Sequence, residues 1–253
     1  MDNALLADAL AVKAQIAARQ WECSKAEDLF AQSFKLATQN ANTYLWYSEF
    51  LSAVGQLDAS SKAAAYSKEL DGISAVVNNR LAVTYLWLDD NVQAEKFFGQ
   101  GYEFGFINYT NPGYAIFLLR QDRLDEAKDT LRLILQSNGV VSAWVGPVIE
   151  GIFNESKRPL SVKTFQIAIE NNQVPPRFQP PIWIFLKEYA RAANSFNKLI
   201  QSKYDLDIEF LFSSEAKEFR RTKEFKQLIG TIGLDEYWMR NSAPDYKRVT
   251  NDS

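Results

Sequence analysis

Small residues recur along the first two thirds of the chain at a nearly constant interval. Ala26, Ser60, Ala94, Ala127 and Ser161 are separated by 34, 34, 33 and 34 residues. Four positions after them stand Phe30, Ala64, Phe98, Leu131 and Phe165. Twelve positions before stand Ala14, Ser48, Ala82, Ala115 and Ile149, and nine before stand Ala17, Leu51, Tyr85, Leu118 and Ile152. A small side chain lets two helices approach closely, and a bulky one a turn later fills the groove beside them. Between the two halves of each unit lie segments such as Gly55-Gln56-Leu57-Asp58, Asp89-Asp90-Asn91 and Gln121-Asp122-Arg123, whose residue types favour turns and helix N-caps. The pattern predicts five helix-turn-helix units over about residues 5–175. No single unit can bury its apolar face alone, so the units are expected to stack on a continuous core.

The period then stops. "VPPRFQPP" at 174–181 holds four of the eight prolines, a density that ends helices and predicts an extended linker. Beyond it, "IWIFLKEYARAANSFNKLIQ" at 182–201 and a region at about 214–240 carry helical spacing. They are expected to cap the exposed end of the stack. Residues 1–175 are thus read as repeats and 176–253 as linker and capping helices of one continuous all-α domain.

The period and its positions resemble the tetratricopeptide repeat. That resemblance implies a right-handed superhelical solenoid of helix-turn-helix repeats with a C-terminal helical cap. "NTYLWYSEFLSAVGQLDASSKAAAYSKELD" carries the family's aromatic start, glycine turn, small anchor and acidic exit, whereas the fifth unit departs from the pattern with Pro147 inside its first helix. The tail "LFSSEAKEFRRTKEFKQLIGTIGLDEYWMRNSAPDY" is similar to the terminal segment of tetratricopeptide arrays in bacterial ToxR-like winged-helix regulators and class III adenylate cyclases. The match rests on Leu211, Phe212, Arg220, Phe225, Leu228, Gly233, Leu234, Tyr237, Trp238, Pro244 and Asp245. It implies an interaction or regulatory module of a bacterial signalling or transcription-regulation system. The DNA-binding or cyclase domain of those proteins is not found before the repeats here, so the chain is read either as a free-standing relative or, the reading favoured, as a piece of a longer chain that starts at Met1.

Composition narrows the chemistry. The chain is 47% hydrophobic, 23% charged and 13% aromatic, the profile of a folded protein. A net charge of −3 and a pI near 5.3 provide no positive field for nucleic acid, so direct binding of DNA or RNA is not expected. The sequence has no histidine and a single cysteine, Cys23. His-based dyads, His-ligated metals and internal disulfides are therefore excluded. Acidic residues and Lys13 in "MDNALLADALAVKAQIAARQ" predict an amphipathic helix and not a signal peptide. No apolar run is long enough to insert in a membrane, and a bacterial cytoplasm and a periplasm both fit. Neither an acid-base pair nor a cofactor motif emerges, so neither catalysis nor a cofactor is expected. "GQGYEFG" lacks the spacing and lysine of a phosphate loop and reads as a helix end.

The tetratricopeptide resemblance implies a concave groove lined by the first helices, holding a protein or peptide partner. Unit by unit it places Asn42, Leu45, Glu49, Asn79, Val83, Leu86, Trp87, Tyr109, Ile116, Arg120, Phe153 and Asn154 there. Trp87 and Arg120 lead, because aromatic and guanidinium groups dominate binding hot spots. Ala11, Leu45 and Pro112 stand where a carboxylate clamp needs polar groups, so an apolar partner segment is expected. The alternative is a periplasmic small-molecule sensor domain of a membrane-anchored regulator or cyclase, with its site among Trp183, Phe185, Tyr237 and Trp238. The basic run "KEFRRTKEFK" at 217–226 is read as a solvated helical surface.

Overall fold

The computed structural model describes residues 3–37, 39–106, 112–136, 139, 143–202, 208–241 and 243–246. Among these residues there are fifteen α-helices and no strand. The first twelve helices form six sequential pairs. They are α1 (Asn3–Arg19) with α2 (Cys23–Leu36), α3 (Ala41–Ala53) with α4 (Leu57–Leu70), and α5 (Ala75–Trp87) with α6 (Asn91–Glu103). Next come α7 (Pro112–Arg120) with α8 (Leu124–Gln136), α9 (Val145–Phe153) with α10 (Arg158–Glu170), and α11 (Gln179–Phe185) with α12 (Tyr189–Gln201). The two helices of every pair pack on each other, and α1, α3, α5 and α7 touch in that order.

The small anchor positions explain the pairing. Ala26, Ala94 and Ala127 and the residues twelve before them, Ala14, Ala82 and Ala115, are almost wholly buried. In the second pair the anchor is polar yet satisfied: the Ser60 hydroxyl donates to the Ser48 carbonyl at 2.8 Å. In the fifth pair the Ser161 hydroxyl donates to the Pro147 carbonyl at 2.7 Å.

The turns repeat as well. Five residues before the anchors, Trp21, Gly55, Asp89 and Asp122 take left-handed φ values of 61°, 80°, 61° and 57°. The next N–H reaches back to the carbonyl of Ala17, Leu51, Tyr85 or Leu118 at 2.8–3.0 Å, closing each first helix with the bond of a Schellman motif. The positions nine before each anchor are therefore helix ends as well as packing residues.

A sixth pair shares this turn. Lys187 has φ 62°, the Glu188 N–H donates to the Trp183 carbonyl at 2.9 Å, and Ala192 and Phe196 are buried. The anchor Ala192 follows Ser161 by 31 residues, a step shorter than the earlier ones. The stretch 174–181 is consequently not an extended linker. Pro176–Phe178 forms a 3₁₀ turn, and Pro180 and Pro181 lie in the first turn of α11, where the missing N–H has no helical partner to lose. Residues 182–201 are split by the turn at 186–188. Pro147 likewise lies in the first turn of α9 and not in its interior; the fifth pair turns through a 3₁₀ segment, Glu155–Lys157.

Three short helices follow: α13 (Lys217–Arg220), α14 (Lys223–Thr231) and α15 (Leu234–Arg240), after a 3₁₀ turn at Glu209–Phe212. α14 packs on α12, but the 3₁₀ turn touches α3 and α5, and α15 reaches α2. Segments expected to cap the far end therefore return to the beginning of the stack. The Trp238 indole N–H donates to the Val54 carbonyl at 2.8 Å. Gly55 makes the approach possible. A Cβ there would lie 2.8 Å from both Phe212 and Pro244, and its φ of 80° is strained for any other residue.

Candidate functional site

The return segment lies along the first helices, the side where a partner was expected. One polar anchor of the segment is Glu209, whose carboxylate sits 2.7 Å from the Arg80 guanidinium with both side chains about nine-tenths covered. Arg80 also donates to the hydroxyls of Ser48 at 3.1 Å and Ser52 at 2.5 Å. Those hydroxyls meet Ser60 at 2.9 and 2.8 Å. One guanidinium thus ties the second pair, the third pair and the return segment together. Neutralising a buried charge in this way is what makes its burial tolerable.

A second tie holds the same segment one helix further on. Arg120 grips Glu215 with two bonds, Nε to Oε1 at 2.5 Å and Nη2 to Oε2 at 2.8 Å. Its Nη1 lies 3.0 Å from Asp89 and also reaches the Leu86 carbonyl. Burial pushes the Glu215 carboxyl upward, but the Arg120 hydrogen bonds and charge outweigh it and leave the group below its ordinary value. Arg120 therefore serves an internal latch.

Between these ties and the later pairs a pocket of about 510 Å³ remains open. Val83 and Trp87 of α5, Ile116 and Leu119 of α7, and Val148, Ile149 and Ile152 of α9 form one side. Phe178, Ile182 and Phe185 face them from the sixth pair, and Phe210 closes the wall from the return segment. Phe210 meets Trp87 edge-on at 6.1 Å and Phe185 at 5.5 Å. Among the described residues, two charged side chains, Arg177 and Glu209, reach this lining. Its volume falls within the range of small-molecule sites.

The residues expected at the groove divide into groups. Val83, Trp87 and Ile116 converge on the pocket. Leu45 and Leu86 are buried in helix packing. Glu49 lines a smaller, more polar pocket with Trp21, Trp46, Arg80 and Glu209; burial raises its carboxyl above the ordinary value, and Arg80 offsets part of that rise. Asn79 is half-buried and Asn42 is exposed. Phe153 is half exposed, and Asn154 caps the 3₁₀ segment by accepting from the Ser156 N–H at 3.1 Å. Tyr109 lies outside the described residues.

The four aromatics expected at a sensor site do not form one. Trp183 packs edge-on against Phe165 at 4.6 Å, Tyr237 against Phe50 at 6.0 Å and Trp238 against Phe212 at 6.2 Å; Phe185 alone lines the larger pocket. Missed altogether were Glu209 and Phe210, although a single acid inside the apolar run "IEFLF" is a signal of a buried, paired charge. In the basic run, Arg220 is drawn inward to the carbonyls of Leu211 and Ser213 at 2.6 and 2.5 Å and lies over the Tyr246 ring.

Among the described residues, no cluster of three carboxylate, thiol or imidazole groups is placed to hold a metal ion. No helix among them is long and apolar enough to cross a membrane. No family model matches the sequence, and no curated protein matches it.

Proposed function

We propose that this chain is a tetratricopeptide-like regulatory domain that binds a small, largely apolar molecule on the inner side of its helix pairs. The observation that carries this reading is the apolar pocket itself, because Val83, Trp87 and Ile116 line it while neighbouring stretches of the expected groove are taken by residues 208–215. The place in a bacterial signalling or transcription-regulation system rests on the sequence resemblance alone. Binding would couple to the rest of the domain through Glu209 and Phe210, since both line the pocket and belong to the return segment. A ligand that favours one placement of that segment shifts its population by its differential affinity.

A thermal-shift screen of metabolites tests the reading. A ligand at a hundred times its dissociation constant stabilises the native state by about 2.7 kcal/mol, so one compound class should raise Tm saturably. The rise should vanish in Ile152→Trp, which fills the pocket from a partly exposed wall position. A flat screen together with tight capture of a protein partner would favour the alternative, an interaction scaffold. That alternative requires residues 208–215 to leave the inner side first, since the Arg80–Glu209 and Arg120–Glu215 pairs hold them there.

A further inference from the structure

The two charged residues at the pocket differ in their partners. Glu209 is neutralised by Arg80 at 2.7 Å, so it presents little net charge to a ligand. Arg177 stands on the opposite, sixth-pair side, in the 3₁₀ turn Pro176–Phe178, and is exposed. Its guanidinium lies 5.0 Å from the ring of Phe178, and no carboxylate among the described residues pairs with it. Arg80, Arg120 and Arg191 all pair with carboxylates. The pocket therefore joins an apolar interior to one unneutralised cation at its edge.

We infer that the ligand is an amphipathic organic acid, whose hydrocarbon or aromatic body fills the space among Ile116, Ile149, Ile182 and Phe178 and whose carboxylate meets Arg177 at the rim. The inference rests on the pocket reading above and adds the chemical class. Two physical points support it. A planar guanidinium presents paired N–H donors that match a carboxylate. A body buried among aliphatic side chains contributes affinity in proportion to the apolar area removed from water, while a head group kept at the rim avoids the cost of desolvating its charge. A cationic amphiphile is disfavoured, because Arg177 would repel it and Glu209 is already paired.

The test compares decanoate with 1-decanol by titration calorimetry, both below their aggregation limits, on the whole chain. Wild type should bind decanoate about fivefold more tightly than the alcohol, the scale of a rim ion pair. Arg177→Ala should remove that preference while leaving the alcohol's affinity unchanged. Ile152→Trp should abolish binding of both with its helical circular dichroism intact. Equal affinities for acid and alcohol on wild type, or a preference that survives Arg177→Ala, would overturn the acid class and leave the pocket standing. Weak binding of both compounds that Ile152→Trp does not alter would overturn the pocket reading itself. If Ile152→Trp does not fold, the Arg177→Ala comparison still decides the ligand class.

Discussion

Asp245 caps a helix far from it in sequence: its Oδ2 accepts at 2.9 Å from the backbone N–H of Asp58, 187 residues earlier. Its own N–H donates to the Gly55 carbonyl at 3.0 Å. The cap position of α4 is Gln56, whose side chain makes no capping bond, so the tail supplies what the local sequence lacks. Asp245→Ala should cost about 1 kcal/mol, the usual worth of an N-cap. Gly55→Ala should cost more, because left-handed backbone alone is worth about 1–2 kcal/mol and the new methyl would collide with Phe212 and Pro244. Urea denaturation checks both, and a wild-type midpoint for Asp245→Ala would show that the tail contributes nothing to α4.

Arg80 and Glu209 form a buried pair, and breaking such a pair is worse than replacing it. Arg80→Met should lose about 3–5 kcal/mol, because the Glu209 charge would remain without its partner. The double variant Arg80→Met with Glu209→Met should recover most of that loss. A double variant no more stable than Arg80→Met would mean that the serine hydroxyls, left without Arg80, dominate the cost.

The Glu49 carboxyl is raised above its ordinary value by burial, with Arg80 opposing. A carboxyl whose native value is raised favours folding below its unfolded value, about 4.3. That contribution is lost as pH climbs through the native value. Glu49→Gln should therefore raise Tm at pH 7, and the gain should shrink towards pH 4. Thermal melts at several pH values measure this, and a gain independent of pH would remove ionisation as the cause.

Cys23 opens α2 with its thiol buried, and burial pushes its value up to about 12. The thiolate is the reactive form, so a disulfide reagent at pH 8 should leave native protein unlabelled. Labelling should become complete on unfolding in urea. Rapid labelling of the native chain would place the thiol in contact with solvent.

The repeat was legible in sequence because its physics is local: a small residue recurs wherever two helices cross closely. Ala26, Ala94 and Ala127 are fully buried at those crossings. The sixth pair escaped because its anchor Ala192 follows at 31 residues and its helix begins with prolines that also suit a linker. The tail motif was visible, but its purpose was not. Trp238 meets Val54 across 184 residues, and such a meeting leaves no periodic trace in either segment. Trp87, expected in a partner groove, lines the apolar pocket, while Arg120 could not be seen to have Glu215 as its internal partner.

In a stack where each unit touches only its neighbours, ends can melt while the middle persists. The bond from Trp238 to Val54 changes that expectation by joining α15 to the second pair. Fraying at the C-terminus then removes support from the front of the chain as well, so loss of order should spread through both halves together. Closing a loop of this length also carries an entropic cost that local hairpins avoid. The contacts that make the domain cooperative are thus the ones expected to form last when it folds.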